Sequence, residues 1–237
     1  MRQLSGEHIA ALVVLAAGVG AAVWAPRRRR GPWVVLAARG LAVAIVVAYV
    51  TEYVANAVEG TWSVRSNLPL HLTDAVTVVA VVALWRPRPL LVEIVYFWAL
   101  TASLQAVITP DLGQPFPSIF YFTYFVTHVG VVVAACLLTF GLRLTPRPGA
   151  VWRVYMITAA FAAFVGVADL ITGANYMYLR HKPERSSLLD VMGPWPWYIV
   201  AGAAFGLIVF GLLAALAELD RSPNATSRAW LRRRPRR

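Results

Sequence analysis

Seven long apolar stretches follow one another along the chain, separated by short segments rich in proline, glycine and arginine. Each is close to the roughly 20 residues that a helix needs to cross a bilayer. The apolar residues run continuously and do not alternate with polar ones, as they would in barrel strands. The pattern therefore predicts an all-α polytopic membrane protein with seven transmembrane helices, at residues 8–25, 33–54, 68–85, 90–108, 118–140, 150–171 and 195–217.

Composition supports this prediction. The 237 residues are 59% hydrophobic and 14% charged, whereas a soluble domain has about 25% charged residues. A soluble enzyme is therefore excluded. The stretches leave room for one transmembrane domain over residues 1–220, followed by a basic tail over 221–237. Cys136 is the single cysteine, and no cysteine and histidine cluster has metal-ligand spacing, so we expect no metal site and no cofactor.

Charge predicts how the helices are oriented. The net charge is +11, but the arginine clusters lie beside apolar stretches, where they fix topology and contact anionic lipid. We therefore expect no nucleic-acid partner. Of the 22 basic residues, the loops and tail on one side hold 16 and those on the other side five. The positive-inside rule then predicts a multi-pass protein of the cell membrane, with its N-terminus outside and its C-terminus in the cytoplasm.

Polar residues near the ends of these helices indicate a functional site. An ionised side chain at the bilayer centre costs roughly 2.5–3.5 kcal/mol, so it needs a partner, a cavity or a function. With the predicted orientation, all of these polar residues except His128 fall in the outer half of the membrane. We therefore predict a polar chamber that opens outward, with its floor near His128. The residues are Glu52, Asn56, Asn67, His71, Thr73, Asp74, Thr77, Gln105, Thr109, His128, Asp169, Thr172, Asn175 and Tyr176.

Helical spacing refines the chamber. His71 and Asp74 are three residues apart, so we expect the Asp74 carboxylate to accept a hydrogen bond from the His71 imidazole. The predicted depths of Thr77, Asp74 and His128 allow the three to meet. Outside, the 173–194 loop carries basic residues that include Arg180 and Lys182. It is either a solvated loop or a lid whose cations hold a lipid phosphate over the chamber.

Several segments resemble the YwaF family of bacterial integral membrane proteins over roughly residues 50–215. They are 67–72 (NLPLHL), 105–111 (QAVITPD), 117–128, 173–179 (GANYMYL) and 193–198 (GPWPWY). That family is similar to eukaryotic transmembrane acyltransferases that remodel ether phospholipids, and more distantly to membrane hydrolases of fatty-acid esters. The resemblance implies acyl chemistry with a Cys or Thr nucleophile and a membrane histidine. The position that often holds cysteine in this family is Thr73 here, which suits the threonine-using hydrolases.

The sequence thus supports a membrane acyltransferase or lipid-ester hydrolase that acts on a membrane phospholipid or acyl lipid. Its nucleophile is Thr73, with Thr77 as a second candidate, because Thr73 and His71 are two residues apart and do not face each other on a helix. His128 or His71 is the general base and Asp74 the orienting acid. Residues expected to bind substrate are Asn67, Thr77, Gln105, Thr109, Tyr124, Asp169, Asn175, Tyr176, Arg180 and Lys182.

Two other functions stay open. The same polar residues suit a transporter, or a protein that binds a lipid or small solute without catalysis. Against transport, no internal repeat is evident and the inner half of the membrane holds few polar residues, whereas alternating access needs a path to both faces. A structural subunit of a larger complex is the third possibility.

Overall fold

A computed structural model describes residues 3–183 and 187–221, and the regular secondary structure of those residues is entirely helical. The helix ends agree with the predicted ones to within about four residues, the usual uncertainty of sequence-based boundaries. Six of the helices are long and apolar enough to cross a membrane, as expected for a multi-pass membrane protein. From residue 222 onward, the predicted basic tail lies outside the described residues. The helices are α1 (Gly6–Arg28), α2 (Pro32–Val58), α3 (Leu72–Trp85), α4 (Pro89–Ile108), α5 (Ile119–Gly141), α6 (Ala150–Thr172) and α7 (Trp197–Leu219).

The helix ends collect on two opposite faces. On one face, the Arg27 guanidinium at the end of α1 donates to both carboxylate oxygens of Asp220, just after α7, at 2.6 Å. Arg147 and Arg153 donate to the buried carboxylate of Glu93 at the start of α4. We call this the basic face. The opposite face, here the loop face, carries the connections at 59–71, 109–118, 173–183 and 187–196.

The helix α3 is shorter than the sequence predicts. It has 14 residues, about 21 Å at 1.5 Å per residue, against a hydrocarbon core of about 30 Å. Residues 68–71 are not helical, because Pro69 lacks an N–H and disfavours the helical conformation of the residue before it. His71 is extended, with φ −72° and ψ 152°. Measured from the basic face, α3 therefore begins at a depth where the longer helices continue toward the loop face.

The core is built around α5. About 72% of the most apolar window of α5 is buried, against 11% for α1 and 6% for α7, and α5 packs against α1, α2, α3 and α4. At Gly130 the backbones of α2 and α5 approach so closely that a Cβ atom would lie 2.8 Å from Cγ1 of Ile45. Polar residues on α2, α3 and α5 are therefore held within one packed body.

The outer helices α6 and α7 are fastened to α4 by buried hydrogen bonds. Trp98 Nε1 donates to the Thr158 hydroxyl of α6 at 2.7 Å. The Tyr96 hydroxyl donates to the carbonyl of Leu213 on α7 at 2.8 Å. These bonds set the position of the 173–183 segment, which follows α6 and lies over the start of α3.

Candidate functional site

The first turn of α3 carries the residues at the centre of the site. Asp74 Oδ2 accepts a hydrogen bond from the backbone N–H of His71 at 3.0 Å, and Oδ1 accepts a long one from the Tyr49 hydroxyl at 3.4 Å. That hydroxyl is also 3.2 Å from the Tyr53 hydroxyl. Asp74 therefore caps its own helix and contacts α2. This differs from the expected contact with the imidazole, because His71 is extended and does not share a helical face with Asp74.

The segment after α6 is tied to the start of α3 through Tyr176. Its side chain is 1% exposed, and its hydroxyl donates to the Val64 carbonyl and accepts from the Leu68 N–H, both at 2.7 Å. Met177 and Tyr178 follow with φ of 54° and 57°, a left-handed conformation that costs energy for side chains larger than glycine. The surrounding contacts hold this turn in a strained backbone.

The strained turn supplies a hydrogen bond to the His71 side chain. The Met177 N–H donates to His71 Nδ1 at 3.4 Å. The His71 ring also lies edge-on to Tyr176, with centroids 5.2 Å apart, and 6.2 Å from the ring of Tyr178. The imidazole is therefore enclosed by the 176–178 turn.

Asp169 lies behind this turn, in the last part of α6. It is fully buried, and its Oδ1 accepts from the Tyr176 N–H at 2.9 Å. Within the described residues, its Oδ2 has no hydrogen-bond partner. The backbone N–H groups of Tyr176 and Met177 thus donate to Asp169 and His71, respectively.

His128, on α5, has a defined tautomer. Its Nδ1 is 2.8 Å from the Tyr124 carbonyl oxygen. Because a carbonyl can only accept, Nδ1 carries the proton and the neutral ring has its lone pair on Nε2. The ring stacks on Tyr124 at 4.2 Å and interacts electrostatically with His71. Nε2 has no hydrogen-bond partner in the part of the chain that the structure describes.

Thr73 lies in the first turn of α3, which packs against α5. It heads a stripe at helical spacing with Thr77, Ala80 and Leu84, and these three are buried. His128 heads a comparable stripe on α5 that continues to Ala135, and Ala80 and Ala135 share one hydrophobic core. Both stripes therefore lead into the same core between the packed helices.

The two residues also lie at about the same depth. Counted from the ends of their helices at the basic face, Thr73 is about 18 Å and His128 about 20 Å away, at 1.5 Å per residue. Thr77 lies one turn closer to the basic face, and its hydroxyl donates to the Thr73 carbonyl at 2.7 Å. The Thr77 hydroxyl is therefore engaged within α3 itself.

Other predicted residues have local roles. Gln105 Nε2 donates to the Thr109 hydroxyl at 2.7 Å, and both side chains are exposed, so they pair with each other and not with the residues around His71. Asn67 accepts from the Ser63 N–H and closes the 63–67 turn. The Tyr124 hydroxyl donates to the Ala106 carbonyl at 2.8 Å.

A cavity of about 420 Å³ opens at the loop face. Its lining includes Asp111, Asn175, Tyr178, His181 and Lys182. Burial raises the pKa of the Tyr178 hydroxyl, and the charge of Asp111 acts in the same direction. Tyr178 therefore stays a neutral hydrogen-bond donor in a cavity with charges of both signs, and its ring separates this cavity from His71.

The predicted loop residues shape that cavity. Asn175 accepts from the backbone N–H groups of Arg180 and His181 and donates to the His181 carbonyl. The Arg180 guanidinium donates to the Ala174 carbonyl at 3.1 Å. The Lys182 ammonium lies 5.7 Å from the centre of the Tyr198 ring.

Sequence reasoning missed two aromatic residues of the site and a structural histidine. Tyr49 and Tyr53 lie four residues apart on α2, and Tyr49 is three residues from Glu52; that helical spacing is the signal that could have found them. The charge of Glu52 acts on Asp74.

His8 is 1% exposed. Its Nδ1 accepts from the Leu4 N–H and its Nε2 donates to the Val107 carbonyl, both at 2.9 Å, so both of its ring nitrogens are satisfied.

Comparison with known proteins places the chain in a family. It is 29% identical over 135 residues to a protein of Treponema pallidum (strain Nichols) described as uncharacterized; the aligned part is 55% of this chain and 54% of that protein. The chain thus spans about half the length of that relative. No solved structure matches it. The family model "TMEM164 family" matches residues 3–214, nearly the whole transmembrane region, and the chain therefore belongs to the TMEM164 family.

Proposed function

We propose that the protein is an integral membrane enzyme of lipid acyl chemistry, either an acyltransferase or a lipid-ester hydrolase. The observation that carries the proposal is the tautomer of His128. With Nδ1–H held by the Tyr124 carbonyl at 2.8 Å, the lone pair on Nε2 is available to a neighbouring hydroxyl. Thr73 carries such a hydroxyl on α3, at about the same distance from the basic face as His128. A nucleophile, a base and a group that orients the base are the minimum for acyl transfer.

In the reaction that we infer, Thr73 Oγ attacks the ester carbonyl carbon while its proton passes to His128 Nε2. The electron pair of the carbonyl moves to its oxygen and gives an oxyanion. When the oxyanion collapses, the ester C–O bond breaks, and the leaving alkoxide takes the proton from the His128 imidazolium. A second alcohol or a water then repeats these steps in reverse and frees Thr73. The Tyr124 carbonyl orients the base throughout.

The remaining polar residues would shape the chamber and hold the substrate. Asp74 fixes the first turn of α3 and contacts Tyr49, so we assign it a positioning role. The cavity with Asn175, His181 and Lys182 is the place where the polar part of a membrane phospholipid or acyl lipid could dock, with Arg180 beside it. The resemblance of residues 67–72 and 173–179 to YwaF proteins points to the same chemistry.

We infer that all seven helices cross the cell membrane, with the basic face in the cytoplasm and the loop face outside. Support comes from the alternation of helix ends between the two faces and from the arginines at the basic face, which include Arg27, Arg147 and Arg153. The short α3 can still complete a crossing, because backbone groups of the non-helical 63–71 segment before it are hydrogen-bonded to Tyr176 and to Asn67. Irregular backbone at membrane depth is tolerated where protein covers it.

The alternative is a transporter, or a membrane protein that binds a lipid or small solute without catalysis. The observation in its favour is the open cavity at the loop face, which a bound solute could occupy. The two functions differ in how they respond to mutation. Losing one neutral hydrogen bond to a cargo typically costs about 0.5–1.5 kcal/mol, roughly tenfold or less, whereas loss of a catalytic partner removes nearly all turnover.

The test is ester turnover by purified protein in lipid nanodiscs, with a fluorogenic fatty-acid ester as substrate. We expect Thr73→Ala and His128→Ala each to abolish turnover and Thr73→Ser to retain it. The matched control is Thr139→Val near the basic-face end of α5, which removes a buried hydroxyl without a hydrogen-bond partner among the described residues, so turnover should persist. Graded losses in all of these variants, or turnover that survives loss of His128, would favour the binding or transport function.

A further inference from the structure

We propose that His71 stabilises the oxyanion of this reaction, as a neutral imidazole that donates a hydrogen bond from Nε2. The inference rests on the proposed acyl chemistry and assigns His71 a role different from that of a base. This role follows from the atoms that surround the His71 ring.

The hydrogen bond at Nδ1 decides the tautomer. Nδ1 accepts from the Met177 backbone N–H at 3.4 Å, and a backbone N–H can only donate. A proton on Nδ1 would point at another proton, so the contact requires the lone pair at Nδ1 and the hydrogen at Nε2. An imidazolium is incompatible with it for the same reason. Protonation of Nδ1 would break this hydrogen bond, so the 176–178 turn favours the neutral His71 ring.

The two histidines therefore have opposite tautomers. His128 has its hydrogen on Nδ1, held by the Tyr124 carbonyl, and its lone pair on Nε2. His71 has the reverse arrangement. The two histidines therefore have different roles in acyl transfer. His128 can take a proton at Nε2, and His71 can donate a hydrogen bond from Nε2.

The position of His71 on α3 suits an oxyanion. It is the N-cap of α3, two residues before Thr73. The backbone N–H groups of Leu72 and Thr73 have no acceptor among the described residues, as is usual in the first turn of a helix. Unpaired N–H groups at the positive end of a helix dipole are an established way to stabilise an oxyanion. We assign the oxyanion formed when Thr73 attacks a carbonyl to these two N–H groups and to His71, since all three lie at the start of α3 with Thr73.

The acids around His71 are directed elsewhere. Asp74 binds the backbone N–H of His71 and the Tyr49 hydroxyl, so its carboxylate does not compete for the imidazole. Asp169 Oδ1 binds the Tyr176 N–H, which positions the residue before Met177. Tyr176 and Tyr178 lie against the ring, and His128 on α5 is near enough to interact with it electrostatically. Asp169 thus acts on the tautomer of His71 indirectly, by holding the turn.

The chemical step conserves atoms and charge. As the Thr73 oxygen bonds to the carbonyl carbon, the carbonyl electron pair moves to oxygen, and that oxygen accepts a hydrogen bond from His71 Nε2–H without taking the proton. On collapse the pair returns to the carbonyl and the leaving alkoxide is protonated by His128. His71 ends the cycle with the proton that it had at the start.

The experiment compares His71→Gln with His71→Phe in the nanodisc ester assay. Glutamine keeps an N–H donor near the position of Nε2 and cannot act as a base, whereas phenylalanine keeps only the ring. Removal of an oxyanion donor typically lowers kcat by about 10²–10³-fold. We expect that loss in His71→Phe with KM little changed, and a kcat within about tenfold of the parent in His71→Gln. If His71→Gln falls as low as His128→Ala, or His71→Phe stays within tenfold of the parent, the proposal is overturned.

A second measurement does not depend on activity. The ¹⁵N spectrum of histidine-labelled protein reports which ring nitrogen carries the proton, and the two variants assign the His71 signals. We expect a hydrogen on Nε2 of His71 and on Nδ1 of His128. A hydrogen on Nδ1 of His71 would overturn the proposal even if the variants lose activity. Failure of the proposed function is recognised separately, as ester turnover that survives Thr73→Ala and His128→Ala.

Discussion

Removing the Tyr176 hydroxyl tests how the 173–183 segment is fastened over α3. Tyr176→Phe deletes one hydrogen bond to the Val64 carbonyl and one from the Leu68 N–H, both 2.7 Å long. A hydrogen bond contributes about 0.5–1.5 kcal/mol net, so the pair is worth about 1–3 kcal/mol. That energy corresponds to roughly a 5- to 150-fold change in an equilibrium constant. We expect the segment to open that much more often while the rest of the bundle is unaffected.

Hydrogen exchange measured by mass spectrometry in nanodiscs is the assay. Peptides that cover residues 62–72 and 173–183 should exchange faster in Tyr176→Phe, while peptides from α5 keep the parent rate. Tyr178→Phe is the matched control, since it removes a hydroxyl from the same turn that has no hydrogen bond within the described residues. Equal exchange in parent and Tyr176→Phe, or acceleration throughout the protein, would refute the reasoning.

Three further predictions concern stability and topology. Glu93→Gln should lower thermal stability, because the buried carboxylate accepts from Arg147 and Arg153. Hydrogen bonds to charged groups contribute about 1.5–3 kcal/mol each, reduced here because the arginine side chains are 51% and 38% exposed. An unchanged melting temperature would contradict this. Gly130→Ala should destabilise by about 1–3 kcal/mol through overpacking, because its Cβ would meet Ile45 at 2.8 Å; Gly206→Ala, with nothing within 4 Å, is the neutral comparison. Finally, in a Cys136→Ala background, cysteine at Ser187 should react with an impermeant thiol reagent in intact cells and cysteine at Ser227 should not. The reverse labelling would contradict the proposed orientation.

The sequence predicts the helices well because their signals are local. Apolar stretches end at prolines, glycines and arginines, and α2 and α4 each begin with a proline in the first turn, where a missing N–H costs little. The start of α3 was wrong by four residues because 68–72 reads as apolar, although Pro69 prevents a helix there. Hydropathy does not register the backbone geometry of proline.

The site was predictable in outline only. The depths of polar residues along their helices predict that His71, Asp74, Gln105, His128 and Asp169 converge. The structure joins Asp74 to the His71 N–H and ties His71 and Asp169 to one turn, whereas Gln105 pairs with Thr109. The predicted contact between Asp74 and the imidazole failed because the three-residue spacing rule applies within a helix, and His71 precedes the helix. The bonds from Tyr176 to Val64 and Leu68 span more than 100 residues, and no local pattern reveals them.

If Thr73 carries the acyl group with His128 as its base, an acyl-enzyme should be detectable. It can be sought in the intact mass of the protein after brief incubation with an acyl ester donor, followed by peptide mapping. We expect an added mass equal to one acyl chain, located on the peptide that contains Thr73, and its absence in Thr73→Ala and His128→Ala. An adduct that persists in Thr73→Ala, or ester turnover in the parent without any adduct on Thr73, would contradict it.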